Sequence, residues 1–239
     1  MTASWPATLR ASLVANTSIA SRWVQFATIS LQGTPAVRTV AFRGFLCDLL
    51  YSASAPPTVE PAAPAAAHAL VFATDARSDK VQEVLRSPLV ELCWYMPETR
   101  QQLRIAGTAV VLVRGHHTRI APESPASAAL TRYLEQSNKP VSAQLASLGD
   151  AVWTGLSPAA RSQYLWPLAK TNQPGSPAGA CLSLELSTGS DGNDPEGKIA
   201  AANAEAQSNF ALLLVVPSRI EMLDLFIQPF GTVTEHANL

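Results

Sequence analysis

Two runs rich in β-branched and aromatic residues, Arg22–Leu31 (RWVQFATISL) and Ala36–Leu46 (AVRTVAFRGFL), are separated only by Gln32-Gly33-Thr34-Pro35. Two such runs around a short Gly/Pro turn predict a β-hairpin. Further strand-type runs stand at Leu70–Thr74, Val90–Tyr95 and Thr99–Val113, the last with a bend at Gly107. Asn209–Leu225 closes the pattern as one or two strands with Pro217 at a boundary. Periodicity predicts a helix over 6–20, where Leu9, Leu13, Val14 and Ile19 share a face. A second helix, Ser78–Arg86, has Ser78 as N-cap and Val81, Val84 and Leu85 as its buried stripe. A third starts at Ser157-Pro158 and runs toward Ala169. The Ala/Pro-rich stretch 52–68 reads as a flexible surface insertion without a packed core, and 172–179 and 188–208 read as polar loops. Five to seven mostly antiparallel strands with a few helices predict a mainly β fold with flanking helices. A barrel or closed sheet fits better than a parallel doubly wound sheet.

Apolar residues make up 47% of the 239 and charged residues 15%, a globular balance that we read as one domain spanning 1–239. The net charge is −1 and the 17 basic residues are scattered, which argues against a nucleic-acid partner. No run approaches 18 apolar residues, so no membrane span is expected. Cys47, Cys93 and Cys181 are too few and too widely spaced for a disulfide framework or a zinc site, and read as ordinary thiols, buried or inert. A reducing, cytoplasmic setting is the expectation. The Ser/Thr/Ala-bearing start is also compatible with an organelle-targeting leader.

Hydrolase and nucleotide-loop motifs are missing: there is no GxSxG, P-loop or GxGxxG. His68, His116, His117 and His236 have no metal-ligand spacing, so no metal site is expected, and His116-His117 reads as a solvated loop. The informative stretch is Thr74-Asp75-Ala76-Arg77-Ser78-Asp79-Lys80, between a strand and a helix. An anion there would meet free backbone N–H groups, the Ser78 hydroxyl and the cations Arg77 and Lys80. The same residues read equally as a capped helix with solvated charges. Arg38 and Arg43 lie about 16 Å apart along one strand and on opposite faces. They therefore serve either two ends of an elongated ligand or simply the surface. Gln102 could aim an amide at a heterocycle's edge, or could sit on a wet face.

RTVAFRGF, LVFATDARSDK and ELCWYMPETRQQLRIAG, in this order, resemble the pyridoxamine 5'-phosphate oxidase family, and most of all its broad FMN-binding branch. WTGLSPAARSQYLWP and NFALLLVVPSRIEMLDL are similar to a following helix and a late strand of that branch. The resemblance covers roughly 5–170 and 208–225. It implies an antiparallel split β-barrel that forms a homodimer, with FMN across the subunit interface. It implies that Arg38 contacts the FMN phosphate and that Thr39, Val40, Ala41 and Phe42 lie along the flavin. By the same resemblance Arg43 sits near ring and substrate, Thr74, Ser78 and Lys80 form the phosphate side, and Gln102 touches the cofactor. The pattern departs at Asp79, where the family often has arginine. It departs again at Leu165-Trp166-Pro167, which offers no substrate-phosphate arginine, and in the C-terminal FIQPFGTVTEHANL. An FMN-dependent oxidoreductase acting on a small-molecule substrate is the leading expectation, with its catalytic residues unassigned. A genuine pyridoxamine/pyridoxine 5'-phosphate oxidase of vitamin B6 metabolism, or a non-catalytic protein on the same barrel, are the alternatives.

Overall fold

The computed structural model describes residues 4–51, 64–113, 119–120, 124–166, 198–226 and 231–236. The strands are β1 (Trp23–Ile29), β2 (Pro35–Phe45), β3 (Leu70–Asp75), β4 (Leu89–Met96), β5 (Gln101–Val113), β6 (Arg119–Ile120), β7 (Phe210–Asp224) and β8 (Gly231–His236). The helices are α1 (Trp5–Ala15), α2 (Leu46–Tyr51), α3 (Asp79–Arg86), α4 (Pro125–Glu135), α5 (Val141–Thr154), α6 (Pro158–Ser162) and α7 (Lys198–Asn209). Every strand pairing is antiparallel. The order β5-β4-β1-β2-β3-β7 closes on itself because β7 also pairs with β5, giving a six-stranded barrel. The two long strands outrun their neighbours. β6 pairs with β5 beyond the end of β4, and β8 pairs with β7 beyond the end of β3.

The closing seam depends on a kink. Between Ala106 and Gly107 the β5–β7 register shifts, so that Ala106 faces Arg219 and Gly107 faces Pro217. Proline has no N–H to give to a ladder and is tolerated at such a bulge. The bend expected at Gly107 is there, but β7 runs through Pro217 as one strand.

Alternation along the strands fills the barrel with Phe26, Phe42, Phe72, Leu92, Trp94 and Leu103. The Phe42 ring lies 4.9 Å from that of Trp94. A second apolar layer covers the outer faces of β3, β5 and β7, where Phe210 meets Trp153 and Tyr164 edge to face. β7 is therefore buried on both faces from Phe210 to Pro217, which is why FALLLVVP shows no alternation.

Several sequence expectations are corrected. α1 stops at Ala15, because the Asn16 side chain turns back to Ser12 O and ties the turn to Glu98 N and Thr99. Val14 and Ile19 are exposed rather than on the buried face with Leu9. Ala65, Ala66 and Ala67, at the end of the Ala/Pro stretch, are buried, and Ala67 O accepts from Cys47 N. Small side chains let this turn approach α2 closely. Residues 52–63 lie outside the described residues. Residues 198–208, expected as loop, and Asn209, expected to open the last strand, form α7: alanine is the strongest helix former, and Ala202 and Ala206 supply its buried stripe. No element is expected from sequence between Val113 and Ser157, yet α4 and α5 lie there. Residues 116–117 and 172–179 and Cys181 lie outside the described residues.

One buried pair ties β2 to α3. Arg38 donates to Glu83 at 2.5 Å, and also to the Thr28 hydroxyl, which itself donates to Glu83 at 2.7 Å. Glu83 is buried and Arg38 only partly so. Glu83→Gln leaves the guanidinium without its counter-charge. Scaling the cost of a broken buried pair for that partial exposure gives an expected loss of about 2 to 3 kcal/mol. Arg38→Met combined with Glu83→Met should recover most of it. Urea midpoints of the three proteins check both statements.

Candidate functional site

β2 and β3 pair only from Phe42↔Phe72 to Phe45↔Leu70. Before Phe42, β2 keeps its ladder to β1, but its other edge parts from β3. The wedge between Thr39–Ala41 and Ala73–Asp75 is the floor of a cleft of about 400 Å³. Small-molecule sites span about 300–1,000 Å³. Leu156, Ala160, Gln163, Tyr164 and Trp166 form the opposite wall, and Ser78 and Lys80 close one end.

The bulge at Arg43 shapes the other end. The β2–β3 register shifts between Phe42 and Gly44, and Gly44 takes φ +155°, a backbone state that side chains disfavour. Arg43 shares the face of β2 that carries Thr39 and Ala41 and lines the cleft with them. Burial lowers its pKa from the ordinary guanidinium value, and Arg22 adds to that effect while Tyr164 opposes it. Its Nε is buried with no hydrogen-bond partner among the described residues, and the same is true of Thr74 Oγ1. Two orphaned polar atoms in one cleft are an unmet demand for a polar ligand.

Lys80 is mostly enclosed. Burial pushes its pKa below the ordinary lysine value; the nearby Arg38 pushes the same way, and Asp75, Glu83 and Asp79 oppose it. Its Nζ donates to Ser78 Oγ at 3.1 Å. Ser78 holds the N-cap position of α3, but its hydroxyl donates to Asp75 O at 2.7 Å and makes no capping bond. A poorly solvated ammonium, a hydroxyl and a helix start are what a phosphate monoester needs.

Thr39, Val40, Ala41, Arg43, Thr74, Ser78 and Lys80, all named from sequence, line this one cleft. Four other named residues do not. Arg38 points to the opposite face of β2, held by Glu83 and Thr28. Phe42 is inside the barrel. Arg77 folds back on Asp75 with bonds of 2.6–3.2 Å and on the carbonyls of Tyr164 and Trp166. Gln102 lies on β5, opposite Tyr95 and Leu223. Sequence reasoning missed the wall as a site element. Its signal is the Tyr-x-Trp after a Ser-Pro helix start, where Ser157 Oγ does cap Ala160 N. Cys47 is buried, and burial together with Asp48 pushes its thiol up to about 12, which makes it a poor nucleophile. Cys93 is exposed. Among the described residues no His/Cys/Asp/Glu group could hold a metal, and no helix is long and apolar enough to cross a membrane.

Residues 2–113 match the family described as pyridoxamine 5'-phosphate oxidase, FMN-binding domain. The matched segment is just under half of the chain, and over that segment the chain is similar to the family. The β2 and β3 residues of the cleft fall inside the matched segment, and the 156–166 wall falls outside it. A curated relative is a pyridoxine/pyridoxamine 5'-phosphate oxidase 2 from Arabidopsis thaliana, 34% identical over 111 residues. The alignment takes in 46% of this chain and 47% of the relative, so the chain spans about half the length of the curated protein it matches. A pyridoxamine 5'-phosphate oxidase-related, FMN-binding protein from Nostoc punctiforme PCC 73102 superposes over 100% of both chains, with TM-score 0.57 and 24% identity. That likeness concerns the fold: a split barrel of the pyridoxamine 5'-phosphate oxidase type.

Proposed function

We propose that the cleft binds FMN and that the protein is an FMN-dependent oxidoreductase acting on a small molecule. The observation that carries this reading is the half-buried Lys80 ammonium in the same cleft as the unpartnered Thr74 hydroxyl. The residues fit the cofactor. Thr74, Ser78 and Lys80 take the phosphate, the open edge of Thr39–Ala41 runs along the ring, and Arg43 with Tyr164 stands at the far end. Bound FMN supplies the hydride and electron chemistry, and the protein places and tunes it. Burial raises the Tyr164 pKa, opposed by Arg43, so its phenol stays protonated and is available as a donor.

A second copy of the chain completes the reading. Trp23, Val37 and Tyr95 are exposed on adjacent strands β1, β2 and β4. The apolar helix layer covers β3, β5 and β7 instead. Bare aromatic and aliphatic groups beside the cleft favour a homodimer interface. Gln102 would then serve a flavin bound by the other subunit. The 34% identity to a pyridoxine/pyridoxamine 5'-phosphate oxidase makes that vitamin B6 activity the second reading. It predicts peroxide release from pyridoxamine 5'-phosphate with FMN saturating, and no turnover rejects it.

Titrating the protein with FMN and with riboflavin, under light scattering, tests the leading reading. Micromolar or tighter FMN binding by a dimer supports it, and failure to bind FMN sinks it. The pH profile follows from Lys80. Its lowered pKa means that the ligand-free folded state holds fewer protons than the unfolded chain between that value and 10.5. Stability without ligand therefore rises with pH in that window. A bound phosphate draws the proton back onto Lys80. FMN affinity is thus expected to fall as pH rises through the same window, and the fall should vanish in Lys80→Met. Titrations from pH 7 to pH 10 on both proteins check this.

A further inference from the structure

Arg77 has the charge of a ligand-binding residue but none of its side chain lines the cleft. Its Nε bonds both oxygens of Asp75, at 3.0 and 3.2 Å, and its NH2 group bonds Asp75 at 2.6 Å. The same NH2 group reaches Tyr164 O at 2.9 Å and Trp166 O at 3.1 Å. Tyr164 O accepts a second bond, 2.9 Å, from Asn209 Nδ2. Asn209 O in turn accepts from Ala76 N, next to Arg77. The β3–α3 turn, the end of α7 and the aromatic wall therefore meet at one carbonyl. Asp75 also lines the cleft beside Ser78 and Lys80, where a bare carboxylate would repel a phosphate.

We propose that Arg77 is a positioning residue with two effects. It clamps the Tyr164–Trp166 segment across the cleft, and it cancels the Asp75 charge facing the phosphate end. The planar fork lets one guanidinium do both, which a lysine ammonium cannot reproduce. The second effect rests on the FMN reading; the clamp itself does not.

Arg77→Gln, Arg77→Lys and Asp75→Asn/Arg77→Gln separate the two effects. In ligand-free protein, amide hydrogen exchange over 158–166 is expected to rise about tenfold in each variant, the equivalent of one charged hydrogen bond. Exchange in β4 and β5 should stay unchanged. Riboflavin, which has no phosphate, should bind Arg77→Gln about five- to tenfold more weakly because the wall is loose. FMN should lose about threefold more than riboflavin in Arg77→Gln, from the unpaired Asp75. The added Asp75→Asn should restore the FMN-to-riboflavin ratio but not the riboflavin affinity. Arg77→Lys should keep the ratio and lose the clamp. Unchanged exchange over 158–166, or exchange raised throughout the barrel, overturns the proposal, as does unchanged riboflavin affinity. If wild-type protein binds neither flavin while exchange still rises only at 158–166, the FMN reading fails and the clamp stands.

Discussion

Lys80→Met is expected to weaken FMN binding by about ten- to a hundredfold, the range for losing a hydrogen bond to a charged group. Riboflavin binding should change by less than about twofold, because the lost contact serves the phosphate. The variant should not be less stable than the wild type. In the ligand-free protein the Lys80 ammonium is held largely out of water, close to Arg38, and donates to Ser78 alone among the hydrogen bonds of the described residues. Methionine removes that desolvation cost and fills a similar volume. A lysine kept for the fold would behave in the opposite way, with lost stability and unchanged FMN affinity. Flavin titrations and urea unfolding on one preparation separate the cases.

Gly107→Ala is the second large effect, on stability rather than binding. A Cβ at Gly107 would lie 2.5 Å from Val216 O, 3.0 Å from Val215 Cγ1 and 3.1 Å from Pro217 Cα. Two of these atoms are backbone of β7, which is buried on both faces there and cannot move aside freely. Overpacking against a fixed backbone is expected to cost about 3 kcal/mol, at the upper end of the usual range. Gly33→Ala is the control. Gly33 has φ +82° with nothing within 4 Å of a Cβ, so only local strain of about 1 kcal/mol follows. A Gly107→Ala urea midpoint no lower than that of Gly33→Ala would contradict the closed-seam account. FMN affinity of Gly107→Ala, measured while folded, should stay within about threefold, since the cleft lies on β2 and β3.

The strands were legible because runs of β-branched and aromatic residues mark them, but which residues fill the barrel was not: Phe42, expected along the flavin, packs inside with Phe26, Phe72 and Trp94. The bend at Gly107 was legible from a glycine inside a strand-type run. Alanine hid the rest. In α7 and in Ala65–Ala67 the buried side chains are too small to register as hydrophobic pattern, so a helix and a packed turn read as loop. At the site, the strand–turn–helix from Thr74 to Lys80 could be read locally. The fates of Arg38 and Arg77 could not. Glu83 captures Arg38 across 45 residues, and the carbonyls of Tyr164 and Trp166 hold Arg77 across 87 and 89. Charge on a strand or turn reveals a cation but not its partner. The sequence of the 156–166 wall resembles a family helix but does not reveal its role, because its position beside β2 and β3 is set by tertiary contacts.

The most direct test is a crystal structure of the protein grown with FMN. The account predicts the phosphate within hydrogen-bonding distance of Lys80 Nζ and of the Ser78 and Thr74 hydroxyls, the ring along Thr39–Ala41, and Tyr164 and Trp166 covering it. FMN with its phosphate on Arg38 or elsewhere, or a cleft left empty at saturating FMN, would contradict it.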